Sequence, residues 1–272
     1  MSHLTRIGNP NVFASLPFDQ IDGFAGFYLH DDFIQLLAVA DTTQTGAALT
    51  SDLLWFGGEI AGNDAGAALL VGTAAVDHPG VLRMESGTTT PAAGDGVAIQ
   101  LGHAVETVQE TLILDDNGVY LAAIIKQPNV LIGDWALGLE GQAPEPVNAG
   151  QLDAVLIGSE PTDIAGDVVY GQVNGANTDV DILSTISPVN EDWILAEVGA
   201  SSTSASFRIT TEDVTETFEA VGPTMPLVAL RPVISTSVST GTAEVFLDVD
   251  AFHMRFLRRD SLVGQGADWL GQ

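Results

Sequence analysis

The sequence predicts an all-β protein, a two-sheet antiparallel sandwich. Three observations predict it. Short runs rich in Val, Ile, Leu, Phe and Thr recur along the whole chain and are separated by Gly, Asn, Asp and Pro clusters. Several runs alternate with a period of two, so one face packs inward and the other meets solvent or a second layer. No segment sustains the i, i+3, i+4, i+7 apolar spacing of a capped helix.

The runs, taken in order, place strands at 34–40, 67–76, 81–85, 97–101, 111–114 and 119–126. Further strands fall at 153–157, 167–173, 193–198, 204–210, 227–234 and 244–256. In 204–209, Ala205, Phe207 and Ile209 point one way, with Ser204, Ser206 and Arg208 opposite. In 244–249, Val245, Leu247 and Val249 oppose Glu244, Phe246 and Asp248. Between two runs lies Asp115-Asp116-Asn117-Gly118. Asn-Gly tolerates positive φ at both positions, so a hairpin turn is expected there. A continuous series of this kind suits two packed sheets.

The 272 residues fit one large all-β domain, and no break in composition marks a second. The expected organisation is an extended arm at 1–23, the sandwich at 24–257 and a short tail at 258–272. Gln142-Ala143-Pro144-Glu145-Pro146 reads as an internal loop. The first ten residues hold one arginine and no apolar run, so no secretory leader is expected. No apolar run approaches the ~18 residues of a membrane span.

Charge narrows the function. Eight Lys and Arg stand against 36 Asp and Glu, a formal charge of −28. Such a chain repels phosphate backbones, because nucleic-acid affinity comes from cations neutralising phosphates. The absence of cysteine excludes disulfides and thiolate chemistry. None of the five histidines lies in a Gly-x-Ser-x-Gly elbow or a His-x-x-x-His spacing. His78, in Asp77-His78-Pro79-Gly80, reads as a turn residue. An enzyme is therefore not expected and no cofactor is implied. Carboxylates offer calcium candidates only: Asp248 and Asp250, expected on one strand face, and Asp115 with Asp116, since Ca²⁺ takes oxygens from carboxylates and carbonyls. Trp55 and Trp193 read as core residues.

A local reversal of charge sits near the end. Phe252-His253-Met254-Arg255-Phe256-Leu257-Arg258-Arg259 carries three of the eight basic residues. One reading is a last strand with a solvated Arg edge. The other is a tail that docks on an acidic neighbour. On the second reading Phe252, Arg255, Arg258, Arg259 and Trp269 are the assembly contacts.

One stretch is more specific. Asp77-His78-Pro79-Gly80-Val81-Leu82-Arg83-Met84-Glu85-Ser86-Gly87-Thr88-Thr89 resembles a segment of tailed-phage virion proteins that carry a concanavalin A-like jelly-roll domain. Other landmarks follow in order: Asp31-Asp32-Phe33, Asp116-Asn117-Gly118-Val119-Tyr120-Leu121, Asp192-Trp193-Ile194-Leu195, Ser206-Phe207-Arg208-Ile209 and the stretch 231–249 ending near Asp248. The chain departs from the pattern at Thr210-Thr211-Glu212-Asp213 and in the Pro-rich loop at 141–150. The resemblance implies a jelly-roll sandwich in a virion, acting as a capsid decoration, head fibre or tail appendage. Its partners would be other virion proteins and further copies of itself, most plausibly as a trimer. The alternative is a carbohydrate-binding module or host-receptor adhesin, since jelly rolls bind glycans through loops or a concave face.

Overall fold

The computed structural model describes residues 26–31, 49–50, 55–61, 66–71, 80–87, 90–101, 112–116, 118–127, 130–141, 153–161, 168–175 and 178–257. Sixteen strands are named among them: β1 Gly26–Asp31, β2 Leu49–Thr50, β3 Trp55–Ala61, β4 Gly66–Val71, β5 Gly80–Glu85, β6 Gly96–Leu101, β7 Val119–Lys126 and β8 Gly133–Glu140. They continue with β9 Ala154–Ser159, β10 Val169–Gly175, β11 Thr178–Leu183, β12 Trp193–Ala200, β13 Ala205–Thr210, β14 Thr215–Ala220, β15 Arg231–Val238 and β16 Phe246–Leu257.

They form two eight-stranded sheets, and every pairing is antiparallel. Sheet A runs β14-β13-β12-β7-β16-β5-β4, with β1 also on β16. Sheet B runs β11-β10-β9-β8-β15-β6-β3-β2. The expected all-β two-sheet sandwich is what the chain forms. The expected strand at 34–40, the arm at 1–23, the loop at 142–146, the tail at 258–272, His78, Asp32, Arg258, Arg259 and Trp269 all lie outside the described residues.

The core lies between the sheets and follows the period of two. From sheet A it takes Leu121, Ala123 and Ile125 on β7, Ile194, Ala196 and Val198 on β12, and Ala205, Phe207 and Ile209 on β13. From sheet B it takes Trp135, Leu137 and Leu139 on β8 and Val155 and Ile157 on β9. Phe207 stacks on Phe218 with ring centroids 5.6 Å apart. It also reaches across to β10, where a Cβ on Gly171 would lie 2.2 Å from the Phe207 ring. The glycine is what lets β10 approach that ring.

Strand β16 carries two irregularities. Its first part pairs with β5 (Phe246↔Glu85 to Val249↔Leu82) and its second with β1 (Phe252↔Asp31 to Leu257↔Gly26). Between them the register against β7 shifts at Asp250, a β-bulge. One extra residue resets the alternation. Val249 and Phe252, three apart, therefore both enter the core. This corrects the expectation that Asp248 and Asp250 simply alternate onto one regular strand face.

The turn at Asp115–Gly118 exists, but it is not a hairpin. Gly118 adopts φ +72° and its N–H meets the Asp115 carbonyl at 3.3 Å. Strand β7 then pairs with β12 and β16, while Leu112 makes an isolated bridge to Leu230. The run before the turn thus has a different neighbour from the run after it. Among the described residues no helix is long and apolar enough to cross a membrane.

Candidate functional site: two outer faces

Each sheet has an outer face, and the period of two decides which side chains reach it. On sheet A the outward residues include Arg83, Tyr120, Lys126, Trp193, Glu197, Arg208, Asp248, His253 and Arg255. Asp248 is nearly fully buried and accepts two bonds from Arg83, from Nε at 2.7 Å and Nη2 at 2.9 Å. Lys126 lies 3.4 Å from Asp248 Oδ2, the oxygen that Arg83 Nη2 also meets, and 3.3 Å from Glu191. The Lys126 ammonium also sits 5.2 Å over the Trp193 ring, and Arg83 sits 5.0 Å over Phe246. Glu197, buried, accepts from both arms of Arg208 and from the Tyr120 hydroxyl. The bond to Glu197 raises the Arg208 pKa, and that to Asp248 raises the Arg83 pKa, each against the opposing effect of burial. Burial, and then the Glu197 charge, pushes the Tyr120 phenol far above its ordinary value. These carboxylates are matched by cations in bidentate geometry.

The outer face of sheet B differs. Its middle is a buried cluster of Ala98 on β6, Ala136 on β8, Ala154 and Leu156 on β9, Tyr170 on β10 and Val233 on β15, with Gly138 and Gly158 between them. Around that cluster stand Asp134, Glu140, Glu160, Asp179 and Asp181. The cation described among them is Arg231. Its Nη1 donates to Gln100 at 3.2 Å, its Nε is buried without a partner, and burial lowers its pKa. Tyr170 on β10 is 1% exposed and its hydroxyl has no hydrogen-bond partner. Burial raises the Tyr170 pKa well above ordinary, and the negative charges of Glu160, Asp134, Asp181 and Asp179 add to the shift.

The open part of this face is the β10–β11 edge. Gln172 pairs in register with Asp181, and Asn174 with Asp179. The Gln172 amide nitrogen donates to Asp179 at 3.4 Å and to Asp181 at 3.3 Å. The Gln172 carbonyl oxygen is buried without a partner. Desolvation raises the Asp179 pKa, helped by the Asp181 charge, and desolvation raises that of Asp181. Opposing these, the Gln172 bond favours both charged forms.

The residues singled out from sequence are not brought together. Asp248 is spent on Arg83 and Lys126. Asp250 is buried at the bulge. Asp115 accepts from the Gly118 N–H at 3.2 Å, and Asp116 accepts from the Ser202 hydroxyl at 2.6 Å. Among the described residues no group of three or more His, Asp or Glu side chains could hold a metal ion.

Phe252 is 0% exposed and lies in the inter-sheet core. Arg255 is 7% exposed on a strand flanked by both β7 and β1. Residues 252–257 thus continue a central strand. They are neither a solvated Arg edge nor a tail, and Phe252 has no ring left to offer a neighbour. Trp193 is also corrected. It is half-buried on the outer face, because Ile194, Ala196 and Val198 take the inward positions of β12. The Gln172–Asp179–Asp181 group was missed. Its one sequence signal is the alternation of Asp179 and Asp181 around Val180.

No protein-family model matches the sequence, and a search of curated proteins finds no match. Solved structures do match in shape. A protein of unknown function from Shewanella oneidensis MR-1 superposes with a TM-score of 0.55 at 13% identity, covering 85% of this chain and 86% of that one. Peanut lectin superposes at 0.51 and 10% identity, over 85% of this chain and 97% of its own. The lectin UEA-II, solved with galactose, gives 0.51 and 10%, over 85% and 99%. Likeness at these identities establishes the fold, a concanavalin A-like sandwich of the legume-lectin kind.

Proposed function

We propose that this chain is a carbohydrate-binding module that works by recognition and not by catalysis. The observation that carries the reading is the outer face of sheet B. There the exposed carboxylates Asp179 and Asp181, joined by the half-buried Gln172, form the open edge of a face whose middle is buried. Carboxylates and amides are the groups that meet sugar hydroxyls. The fold it shares with lectins supports the reading as an analogy of architecture. The test is a glycan array probed with the labelled full chain, with and without EDTA. A reproducible hit in either arm, weakened at least tenfold by Asp181→Asn with Gln172→Leu, is expected. A blank array from folded protein overturns the reading.

A second reading places the chain in a phage particle, as a capsid decoration, head fibre or tail appendage. What supports it is where the phage-like segments fall. They fall on β5, β7, β12, β13 and β16 of sheet A, reach the end of β1, and through 231–249 take in β15 of sheet B. On this reading Arg258, Arg259 and Trp269 meet other virion proteins, and copies assemble as trimers. Deleting 258–272 should leave a folded domain that fails to join particles. Truncated protein at full occupancy on particles would sink it.

A further inference from the structure

The outer face of sheet B is buried where a two-sheet sandwich should leave it open. The sheets meet by their inner faces, and no described strand lies beyond sheet B. Yet outward side chains on five consecutive strands, β6, β15, β8, β9 and β10, are closed off. Leu156 is 0% exposed and Tyr170 1%, and Ala98, Ala136, Ala154 and Val233 around them are buried too. So are the polar outward residues Gln100, Asp134, Glu140 and Ser235. At ~4.8 Å between strands the patch is ~19 Å wide. A leucine and a tyrosine on an uncovered sheet face keep part of their surface in water, and these two keep none of consequence. The burial is that of one chain alone, so the cover belongs to the chain itself.

We propose that this face is the seat of the chain's own N-terminal arm, residues 1–23, laid across it as a strap. Position and length allow it. Strands β7 and β8 are joined through 127–132, so Val119 and Glu140 mark one end of the sandwich. Phe256 pairs with Val119 and Leu257 with Gly26, so the arm starts from that same end. Twenty-three extended residues reach ~75 Å, against ~10 Å between the sheets and ~19 Å across the patch. Charge selects the arm. Asp134, Glu140 and Glu160 are buried on this face, and the cation described there is Arg231. A cover that brought more carboxylates would raise the cost of burying them. Residues 1–18 hold Arg6 and no carboxylate, whereas the other long stretches outside the described residues, 32–48, 102–111, 142–152 and 258–272, each carry at least one. The arm also supplies Leu4, Ile7, Phe13, Leu16 and Phe18, and the alanines at 98, 136 and 154 leave room for side chains of that size. Pro10 and Pro17 suit a segment that crosses strands without pairing to an edge. Asp179 and Asp181 on β11 are exposed, so the strap leaves the edge named in the carbohydrate reading open, and the two proposals stand independently.

The chain has no cysteine, so one introduced thiol reports on the face. A covered thiol reacts only through local opening. Ala136→Cys in the full chain should therefore react with a maleimide about a hundredfold more slowly than Val221→Cys, a control at an exposed position. Deleting residues 2–23 should speed the Ala136→Cys reaction about tenfold while the circular dichroism of the sandwich is kept. Deleting 258–272 should leave the rate as it was. Fast labelling in the full chain, protection that survives loss of the arm, or exposure caused by loss of the tail overturns the proposal. Should the shortened chain fail to fold, Phe13→benzoylphenylalanine in the full chain decides the matter. Photolysis should join residue 13 to β8, β9 or β10 of the same chain. Cross-links confined to other elements, or to a second copy, overturn the strap.

Discussion

The two outer faces reach opposite electrostatic conditions. On sheet A, Asp248 and Glu197 are buried and each is held by a guanidinium in register on a neighbouring strand. On sheet B, Asp179 and Asp181 share one glutamine, and Tyr170 is buried with nothing to bond. A chain of net charge −28 has few cations to place. Of those whose side chains are described, Arg83, Lys126, Arg208 and Arg255 face outward from sheet A, and Arg231 from sheet B. The difference shows that scarce positive charge stabilises one face and leaves the other electronegative. The first face is held by ion pairs, and the second keeps carboxylates that no cation matches.

Removing one cation from each face gives the largest contrast. Arg208→Met strands the buried Glu197 carboxylate and should cost about 3 kcal/mol. Arg231→Met removes a guanidinium whose Nε has no partner, and should change stability by less than ~1 kcal/mol. Urea denaturation of both variants checks this, and equal losses would erase the distinction between the faces.

The two tyrosines sharpen it next. Tyr120→Phe deletes a bond to a charged acceptor and should cost about 2 kcal/mol. Tyr170→Phe should be neutral or stabilising by up to ~1 kcal/mol, since no bond is lost. Opposite signs in thermal melts are the expected result.

Coupling across the sheet A pair comes third. A double-mutant cycle of Arg83→Met and Asp248→Asn should return about 1–2 kcal/mol, because the two groups are bonded twice. The value should fall only modestly at high salt, as Asp248 is buried.

The smallest effect is pH-dependent. The Asp179 and Asp181 pKa values are raised on folding, so their protonation favours the folded state. That stabilisation is complete below the ordinary carboxylate value and is lost as pH rises through the raised values. At pH 7 both acids are charged and repel. Asp181→Asn should then gain about 0.5 kcal/mol, discounted for exposure, and the gain should vanish near pH 3. A gain that persists unchanged at pH 3 would show that repulsion is not its source.

Much of the fold is legible in the sequence, because core strands of sheet A alternate. Val119–Lys126 is a strand with the bounds its apolar run suggests, and Phe207 and Leu247 face inward as their alternation requires. Strands fully covered on both faces escape that signal. Gly133–Glu140 is buried throughout, so Trp135-Ala136-Leu137-Gly138-Leu139 runs on without a polar residue at the alternate positions. Edge strands escape it for the opposite reason. Thr178–Leu183 and Thr215–Ala220 are short edge strands whose side chains are mostly exposed or half-buried. The candidate site lies partly on such an edge, and for that reason it was illegible. Its residues gain meaning only when register sets Gln172 opposite Asp181. The bulge at Asp250 was hidden in the same way, since an extra residue is invisible until a partner strand counts it.

The double service of β16 has a consequence for how the chain reaches this fold. Residues 246–257 supply the strand on which β5, β7 and β1 all depend, and β1 lies more than two hundred positions earlier. As the polypeptide leaves the ribosome, sheet A cannot close until this late piece emerges, and β7 meanwhile waits with one side open. Closure of sheet A therefore waits for residues 246–257 to be made, and ordering so distant a pair makes it slow. A nascent chain stalled before residue 246 would offer that open side to aggregation or to a chaperone.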